Sequence, residues 1–558
     1  MTSYTDIRTE TGRARTILGR YDIPAPLLAA LVASFILAAD NATFWRHAAG
    51  LFDPLPLASF TLGIFGLTLG MAVLGLFPRL FKPILVLLLL IGATSSYYMD
   101  HLGIVIDRDM IQNVMSTTVT EAHHLITPSF LLHVFLRGLL PSAALLLVRP
   151  SFPKRIGKIL LHWIVTLSAA IVILAVGTFT HYKDHAFILR EHHELIESFQ
   201  PGAPIAGAFR YAKMLLRSSN ATAAPTGADA RKGPYLAALA KPSFTVIVVG
   251  ETARAANFGL NGYERDTTPE LRQRNVLYFP DTVSCGTATA VSMPCMFSRF
   301  TRSEYSYKKG IANENLVDVL THAGLDVEWW DNNTGHKNIA KRIPSRSMSN
   351  TPDSRFCATG ECTDGVFLDP LAEKLASATK DTVIVLHQIG SHGPAYHMRY
   401  DAGHALYQPA CAKTDLTACS RQEVVNAYDN SIAYTDWFLA RIIDMLAQTS
   451  SVSGTLVYMS DHGESLGENG LYLHGAPYWI APAMQTRVPF LIWMSQPFEQ
   501  AMAVDRSCLA GRAQGQSQDA LFHSVLGLLD IETSVRDPAL DLFAGCRGNA
   551  RDKTRTGS

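Results

Sequence analysis

Every apolar run long enough to cross a bilayer lies before residue 180, and all eight cysteines lie after residue 280. A chain divided in this way folds as a membrane half and a separate soluble half. At 558 residues it also exceeds what one hydrophobic core holds. A span needs about 20 residues, and five stretches approach or reach that length, near Pro24 to Ala39, Leu55 to Phe77, Leu80 to Thr94, Ser129 to Val148 and Ile156 to Thr178. Arg8, Arg13, Arg15 and Arg20 precede the first, Arg79 and Lys82 separate the second from the third, and Arg149, Lys154, Arg155 and Lys158 separate the fourth from the fifth. Basic loops stay in the cytoplasm, so five crossings put everything after Thr180 outside. The first run is followed by Asp40-Asn41-Ala42 instead of a small-residue cleavage site, which predicts an uncleaved anchor.

Cys285, Cys295, Cys357, Cys362, Cys411 and Cys419 fall as three close pairs, followed by Cys508 and Cys546. None has C-x-x-C spacing, so loop-stapling disulfides in an oxidising compartment fit better than zinc sites. This agrees with the topology. Zero net charge and the lack of a basic stripe interleaved with aromatics exclude a nucleic-acid partner. Arg137 falls inside the fourth span, where a charge marks a functional position or a snorkelling contact.

Between the third and fourth spans, Asn113, Thr117 and Glu121 recur every fourth residue. On a helix they form one polar stripe, either a solvated face or a surface for an ammonium headgroup. Tyr182 to Phe199 and Ile205 to Leu216 read as interfacial helices, and Ser218 to Gly233 as a flexible connector. The expected organisation is a transmembrane domain (1–180), interfacial helices and linker (181–240), a catalytic domain (241–546) and a flexible tail (547–558).

From Phe244 short β-rich runs alternate with helical segments, the pattern of an α/β domain with a mostly parallel sheet. Expected strands are Phe244 to Val249, Asp326 to Trp330, Thr382 to Leu386, Thr455 to Met459 and Val488 to Trp493. Expected helices are Asn315 to His322, Asp369 to Ala378 and Gln422 to Ala447. Ligands collect beyond the carboxyl ends of such strands. The sequence puts Glu251, Asp331-Asn332, His387, Ser391-His392-Gly393 and Ser460-Asp461-His462-Gly463-Glu464 there. Glu251, Asp461 and His462 offer the oxygen and nitrogen donors of a zinc shell with one open position. Between Cys285 and Cys295, Thr287, Thr289 and Ser292 are candidate nucleophiles that a metal would activate. Spacing alone does not choose among them.

These motifs together resemble the phosphoethanolamine transferases of Gram-negative inner membranes, within the alkaline phosphatase superfamily. The resemblance runs through Val105-Ile-Asp-Arg-Asp109, Val249-Gly-Glu-Thr-Ala-Arg254, Cys285-Gly-Thr-Ala-Thr-Ala-Val-Ser-Met-Pro-Cys295, Ser391-His-Gly-Pro394 and Ser460-Asp-His-Gly-Glu464. It implies a five-helix membrane domain and a periplasmic catalytic domain that moves phosphoethanolamine from phosphatidylethanolamine to lipid A, with polymyxin resistance as the outcome. By matching position it implies a zinc shell of Glu251, Thr289, Asp461 and His462, with Thr289 the residue modified. Lys337, His392 and His474 match positions that contact phosphate or assist proton transfer, and a second, weaker metal site belongs to the same expectation. Asn113, Thr117, Glu121 and Thr334 match an ethanolamine-headgroup site. The resemblance pairs Cys285 with Cys295, Cys357 with Cys362 and Cys411 with Cys419, and leaves Cys508 and Cys546 as a further candidate pair. A monomer is expected.

The chain departs from some family members at His336 and Ala340, where they carry cysteines, so a staple beside Lys337 is missing. A core sugar as acceptor, or phosphatidylglycerol as donor of glycerophosphate, is the alternative reading. No C-x-P-x-R motif of a sulfatase lies near Glu251. A non-catalytic membrane sensor is disfavoured, because every expected ligand is a competent residue type.

Overall fold

A computed structural model describes residues 22–548 apart from 220, 350, 359 and 360. The arginines expected to precede the first span lie outside the described residues, as does the tail from 549. The chain divides into two compact units. One runs up to Asp100 and resumes over Pro128–Ile205; the other comprises His101–Thr127 and everything from Ala206.

Among the described residues four helices are long and apolar enough to cross a membrane: Pro54–Val73, Phe81–Leu102, Pro128–Leu147 and Ile156–Thr180. The expected first span is instead a helix over Ala25–Ala39 that bends by 74° into Ala42–Leu51, so a fifth crossing exists only if this pair counts as one. Asn41 holds the bend by donating to Ile36 O and Gln200 O and accepting from Gln200 N. Arg137 serves the same corner. It sits on a π-helical turn, donates to Ala39 O, and faces Asp100 Oδ2 at 3.9 Å. Asp100 in turn accepts from Thr43 N and Oγ1. The Pro54–Val73 and Ile156–Thr180 helices approach through Gly66 and Gly177, where a Cβ would collide with the opposing backbone, Gly177 lying directly against Gly63. Without water to drive association, such close van der Waals contact holds spans together.

The second unit is built on a seven-stranded sheet, numbered here in chain order: β1 (Ser243–Gly250), β2 (Leu277–Val283), β3 (Asp326–Asp331), β4 (Ser345–Ser347), β5 (Thr382–His387), β6 (Ser453–Ser460) and β7 (Arg487–Met494). The spatial order is β2-β7-β6-β1-β5-β3-β4. β6, β1, β5, β3 and β4 run parallel, and β7 pairs antiparallel with β6 and β2. β1, β5 and β6 are buried at every position, as central strands covered on both faces must be. The 28-residue Arg421–Gln448 helix begins with a capping box of Ser420 and Glu423. β2 was not expected: Pro280 interrupts its apolar run, a residue tolerated here because β2 is an edge strand.

Two other expectations change. The Ser218 to Gly233 stretch carries fixed contacts: Thr226 N donates to Glu314, Ala224 pairs with Asn313, and Arg231–Lys232 pairs with Ile531–Glu532. At the far end Arg547 donates to Met502, Gly527 and Leu528 carbonyls, so ordered packing continues past the expected boundary at 546.

Candidate functional site

β1 and β6 are neighbours in parallel register, with Ser460 opposite Gly250, so the residues that follow them emerge side by side. Those residues are Glu251 and Asp461-His462. Asp461 N donates to Gly250 O at 2.9 Å, which locks the two strand ends together. Thr252 adopts φ 60°, a left-handed conformation that costs a β-branched residue of order 1–3 kcal/mol. It is held there from three sides: its N–H donates to Asp461 Oδ1, its Oγ1 to Glu251 Oε1, and its carbonyl accepts from Tyr428.

Thr289 opens the Thr289–Met296 helix, whose preceding loop is closed by the Cys285–Cys295 disulfide. Its Oγ1 lies 3.1 Å from each oxygen of Glu251 and 3.3 Å from His462 Nε2. His462 Nε2 is also 3.3 Å from Glu251 Oε1 and 3.4 Å from Asp461 Oδ2. His462 Nδ1 bonds to Gly463 O, which turns Nε2 inward. The acidic and imidazole ligand atoms lie within 4.8 Å of one another, and all three side chains are fully buried.

Burial would raise the Glu251 carboxyl, yet the His387 and His462 imidazoles beside it hold it well below the usual range. Asp461 is raised by burial and by the adjacent Glu251. Burial opposes the charge on His462, but Asp461 and Glu251 outweigh it and push this imidazole up to about 10. Asp461 Oδ1 is satisfied by Thr252 and His462 amides, whereas buried Oδ2 has no hydrogen-bond partner. An orphaned carboxylate oxygen beside a second carboxylate, an imidazole and a hydroxyl is the donor set a divalent cation of the zinc class requires.

Around this cluster, Glu464 orients two groups: His474 bonds through Nδ1 to Oε2 at 2.9 Å, and Tyr396 donates to Oε1 at 2.6 Å. The His474 ring is 4.4 Å from that of His462 and 5.4 Å from that of His392. His462, Glu464 and His474 form a second group with ligand spacing, sharing His462 with the first. Lys337 donates to Thr334 O and Ser116 O, tying the loop after β3 to the segment between the third and fourth spans. The loop around Lys337 has no cysteine staple. It is pinned by Asn315, which donates to Ile339 O, and by Asp331 Oδ1, which accepts from Asn333 and Gly335 amides.

The single polar stripe of Asn113, Thr117 and Glu121 does not form. The helix Arg108–Ser116 ends at Thr117, which turns to an extended conformation before a new helix starts at Val119. Three consecutive β-branched residues, Thr117-Thr118-Val119, favour that break. Thr117 Oγ1 donates back to Asn113 O, and the side chain of Glu121 lies outside the described residues. The segment still reaches the site: Gln112 donates to Ala290 O at 2.9 Å, beside Thr289. Thr118, Thr120, Thr334 and His392 share a cleft of about 150 Å³.

Several groups escaped the sequence reading. Asn333 donates to Glu251 Oε2 and Gln388 O, both at 2.8 Å. Gln518 accepts from Cys285 N and donates to Ser460 and Asp461 carbonyls, joining the Thr289 loop to the loop after β6. Asn333 had a sequence signal, its position just past the end of β3; Gln518 had none.

A family model described as "Phosphoethanolamine transferase EptA/EptB" matches residues 64–215, and a sulfatase model matches 243–531. Phosphoethanolamine transferase EptA of Escherichia coli K12 is 39% identical over 508 residues, 90% of this chain and 91% of that one. Phosphatidylethanolamine transferase Mcr-1 of Escherichia coli is 34% identical, with 90% and 95% covered. The solved structure of the integral membrane lipooligosaccharide phosphoethanolamine transferase A of Neisseria meningitidis is 34% identical. It superposes with a TM-score of 0.88, covering 93% of this chain and 98% of its own. The four disulfides Cys285–Cys295, Cys357–Cys362, Cys411–Cys419 and Cys508–Cys546 complete an α/β domain of alkaline phosphatase type that follows membrane helices. The chain belongs to the EptA phosphoethanolamine transferase family and is an enzyme of that class.

Proposed function

We propose that the chain transfers phosphoethanolamine from phosphatidylethanolamine to a phosphate of lipid A, through a covalent intermediate on Thr289, on the periplasmic side of the inner membrane. The observation that carries this reading is Thr289 Oγ1, equidistant at 3.1 Å from both Glu251 oxygens and 3.3 Å from His462 Nε2. A relative named Kdo(2)-lipid A phosphoethanolamine 7''-transferase, 30% identical over 493 residues, supports an acceptor of the Kdo-lipid A class, although the 7'' position in its name is a sugar carbon and favours the alternative to a phosphate.

Glu251, Asp461, His462 and Thr289 would hold one zinc ion, which when bound supplies Lewis-acid charge that favours the threonine alkoxide. Thr289 Oγ1 passes its proton to the Glu251 carboxylate it donates to and forms a bond to the phosphorus of phosphatidylethanolamine as the bond from phosphorus to the glycerol oxygen breaks. His474, held at Nδ1 by Glu464, keeps Nε2 to give the departing diacylglycerol its proton, with His392 as the alternative donor. Lys337 offsets charge on the phosphoryl oxygens. An oxygen of the acceptor phosphate then bonds to phosphorus, and Thr289 leaves and regains its proton. Asn113, Thr117, Glu121 and Thr334 are assigned to the ethanolamine end of the donor, now as two short segments brought near each other by Lys337.

Diacylglycerol release and the intact mass of the full-length protein in phosphatidylethanolamine micelles test the intermediate. Wild type should gain one phosphoethanolamine and Thr289→Ala none; an adduct on the variant overturns the nucleophile. Mass spectrometry of lipid A and core oligosaccharide from expressing cells tests the acceptor. An increment confined to core sugars, or one of glycerophosphate mass, refutes the assignment of acceptor or donor.

A further inference from the structure

Asp331 and His387 end the neighbouring parallel strands β3 and β5, directly opposite each other, and take no part in the chemistry above. His387 Nδ1 bonds to Asp331 Oδ2 at 2.9 Å. Asp331 is itself clamped: Trp329 Nε1 donates to the same oxygen at 3.0 Å, and the amides of Asn333 and Gly335 donate to the other. The ring therefore has one orientation, which aims Nε2 at Glu251 Oε2 across 3.7 Å. His387 is fully buried and Nε2 has no hydrogen-bond partner. An unpartnered ring nitrogen in a dry site, pointed at a carboxylate by a second carboxylate, is expensive unless it acts on that carboxylate. The other oxygen of Glu251, Oε1, is the one turned to His462.

We propose that His387, oriented by Asp331, is a positioning residue that backs Glu251 Oε2 and so keeps Oε1 turned toward Asp461 Oδ2 and His462 Nε2 for a divalent cation. The proposal rests on the reading of Glu251, Asp461 and His462 as the cation site. An outer carboxylate–imidazole pair of this kind fixes a ligand's rotamer before the ion arrives, and its loss typically weakens metal binding 10- to 100-fold. Asp331 acts only through His387, so the two substitutions should not add.

The test is zinc affinity, independent of turnover. Full-length protein in detergent is stripped with a chelator and titrated with Zn²⁺ against a chromophoric competitor. The set is wild type, His387→Gln, the near-isosteric Asp331→Asn, and the double variant. Thr245→Val serves as the control, since it breaks a buried Thr245–Thr455 hydroxyl contact between β1 and β6 and destabilises the sheet without touching the site. The expected result is a zinc Kd raised 10- to 100-fold in both single variants, no further rise beyond about threefold in the double, and an unchanged Kd in Thr245→Val. Single variants within twofold of a zinc-binding wild type overturn this proposal alone. A control that loses zinc as the single variants do reduces His387 to a structural role and overturns it as well. A wild type that binds no zinc overturns the reading of the site and this inference with it.

Discussion

Asn333→Ala should be the most costly single change near the site that leaves every expected ligand in place. The Asn333 side-chain amide spans two fully buried acceptors, Glu251 Oε2 and the Gln388 carbonyl, each at 2.8 Å. A hydrogen bond to a charged group contributes about 2 kcal/mol net and one to a neutral carbonyl about 1 kcal/mol, and neither acceptor has water to turn to. The sum is about 3 kcal/mol. At roughly 2 °C per kcal/mol for a domain of this size, the unfolding midpoint of the catalytic unit should fall by about 6 °C. Differential scanning fluorimetry on detergent-solubilised protein, treated with chelator so that metal binding does not mask the change, reads it directly. Asn333→Asp should be worse than alanine, because it sets a second carboxylate against Glu251 Oε2. A midpoint within about 1 °C of wild type in both variants would show that Glu251 is not held from this side.

Three further outcomes follow from packing and linkage. Removing Cys508–Cys546, with a sequence separation of 38, should cost about 4 kcal/mol, and Cys357–Cys362, with a separation of 5, about 2 kcal/mol. Serine pairs compared by thermal unfolding would refute the loop-length argument if the order were reversed. His523 is buried, and its Nδ1 accepts from Asp537 N, so burial lowers its pKa from the ordinary value of 6.5. The unfolded chain therefore takes up this proton first as pH falls, so stability from this group is full above pH 6.5 and is lost as pH falls through the lowered folded-state value, at no more than about 1.4 kcal/mol per pH unit. His523→Gln should flatten the fall in stability just below pH 6.5, and an unchanged slope there would refute the assignment. Gly177→Leu should drive the Pro54–Val73 and Ile156–Thr180 helices apart and lower the yield of folded protein in detergent; normal yield and midpoint would exclude the close contact seen at Gly63.

The strands that carry the candidate site were legible because fully buried parallel strands are unbroken apolar runs. Phe244 to Val249 and Thr455 to Met459 each gained only one or two residues at either end when folded. β2 was not legible, since an edge strand carrying Pro280 lacks that signature. The clustering of Glu251, Asp461 and His462 was readable for the same reason as the strands: Glu251 and Asp461 lie just past apolar runs. The polar stripe misled because four-residue spacing implies one face only while a helix continues, and this one stops at Thr117. Gln518 depends on contacts between distant segments, for which local sequence carries no signal; Asp331 and His387 were readable as strand-end residues, but their pairing depends on the order of the strands in the sheet.

The catalytic unit is not a contiguous stretch of gene. His101–Thr127, encoded between two membrane helices, belongs to it, and Gln112 from that insert reaches the backbone beside Thr289. A truncation starting at the soluble half keeps Glu251, Asp461 and His462 but discards one wall of the reaction chamber. Recombination that swaps soluble halves between relatives would likewise separate Gln112 and Ser116 from Ala290 and Lys337, the residues they bond to, so the two halves are expected to be inherited together.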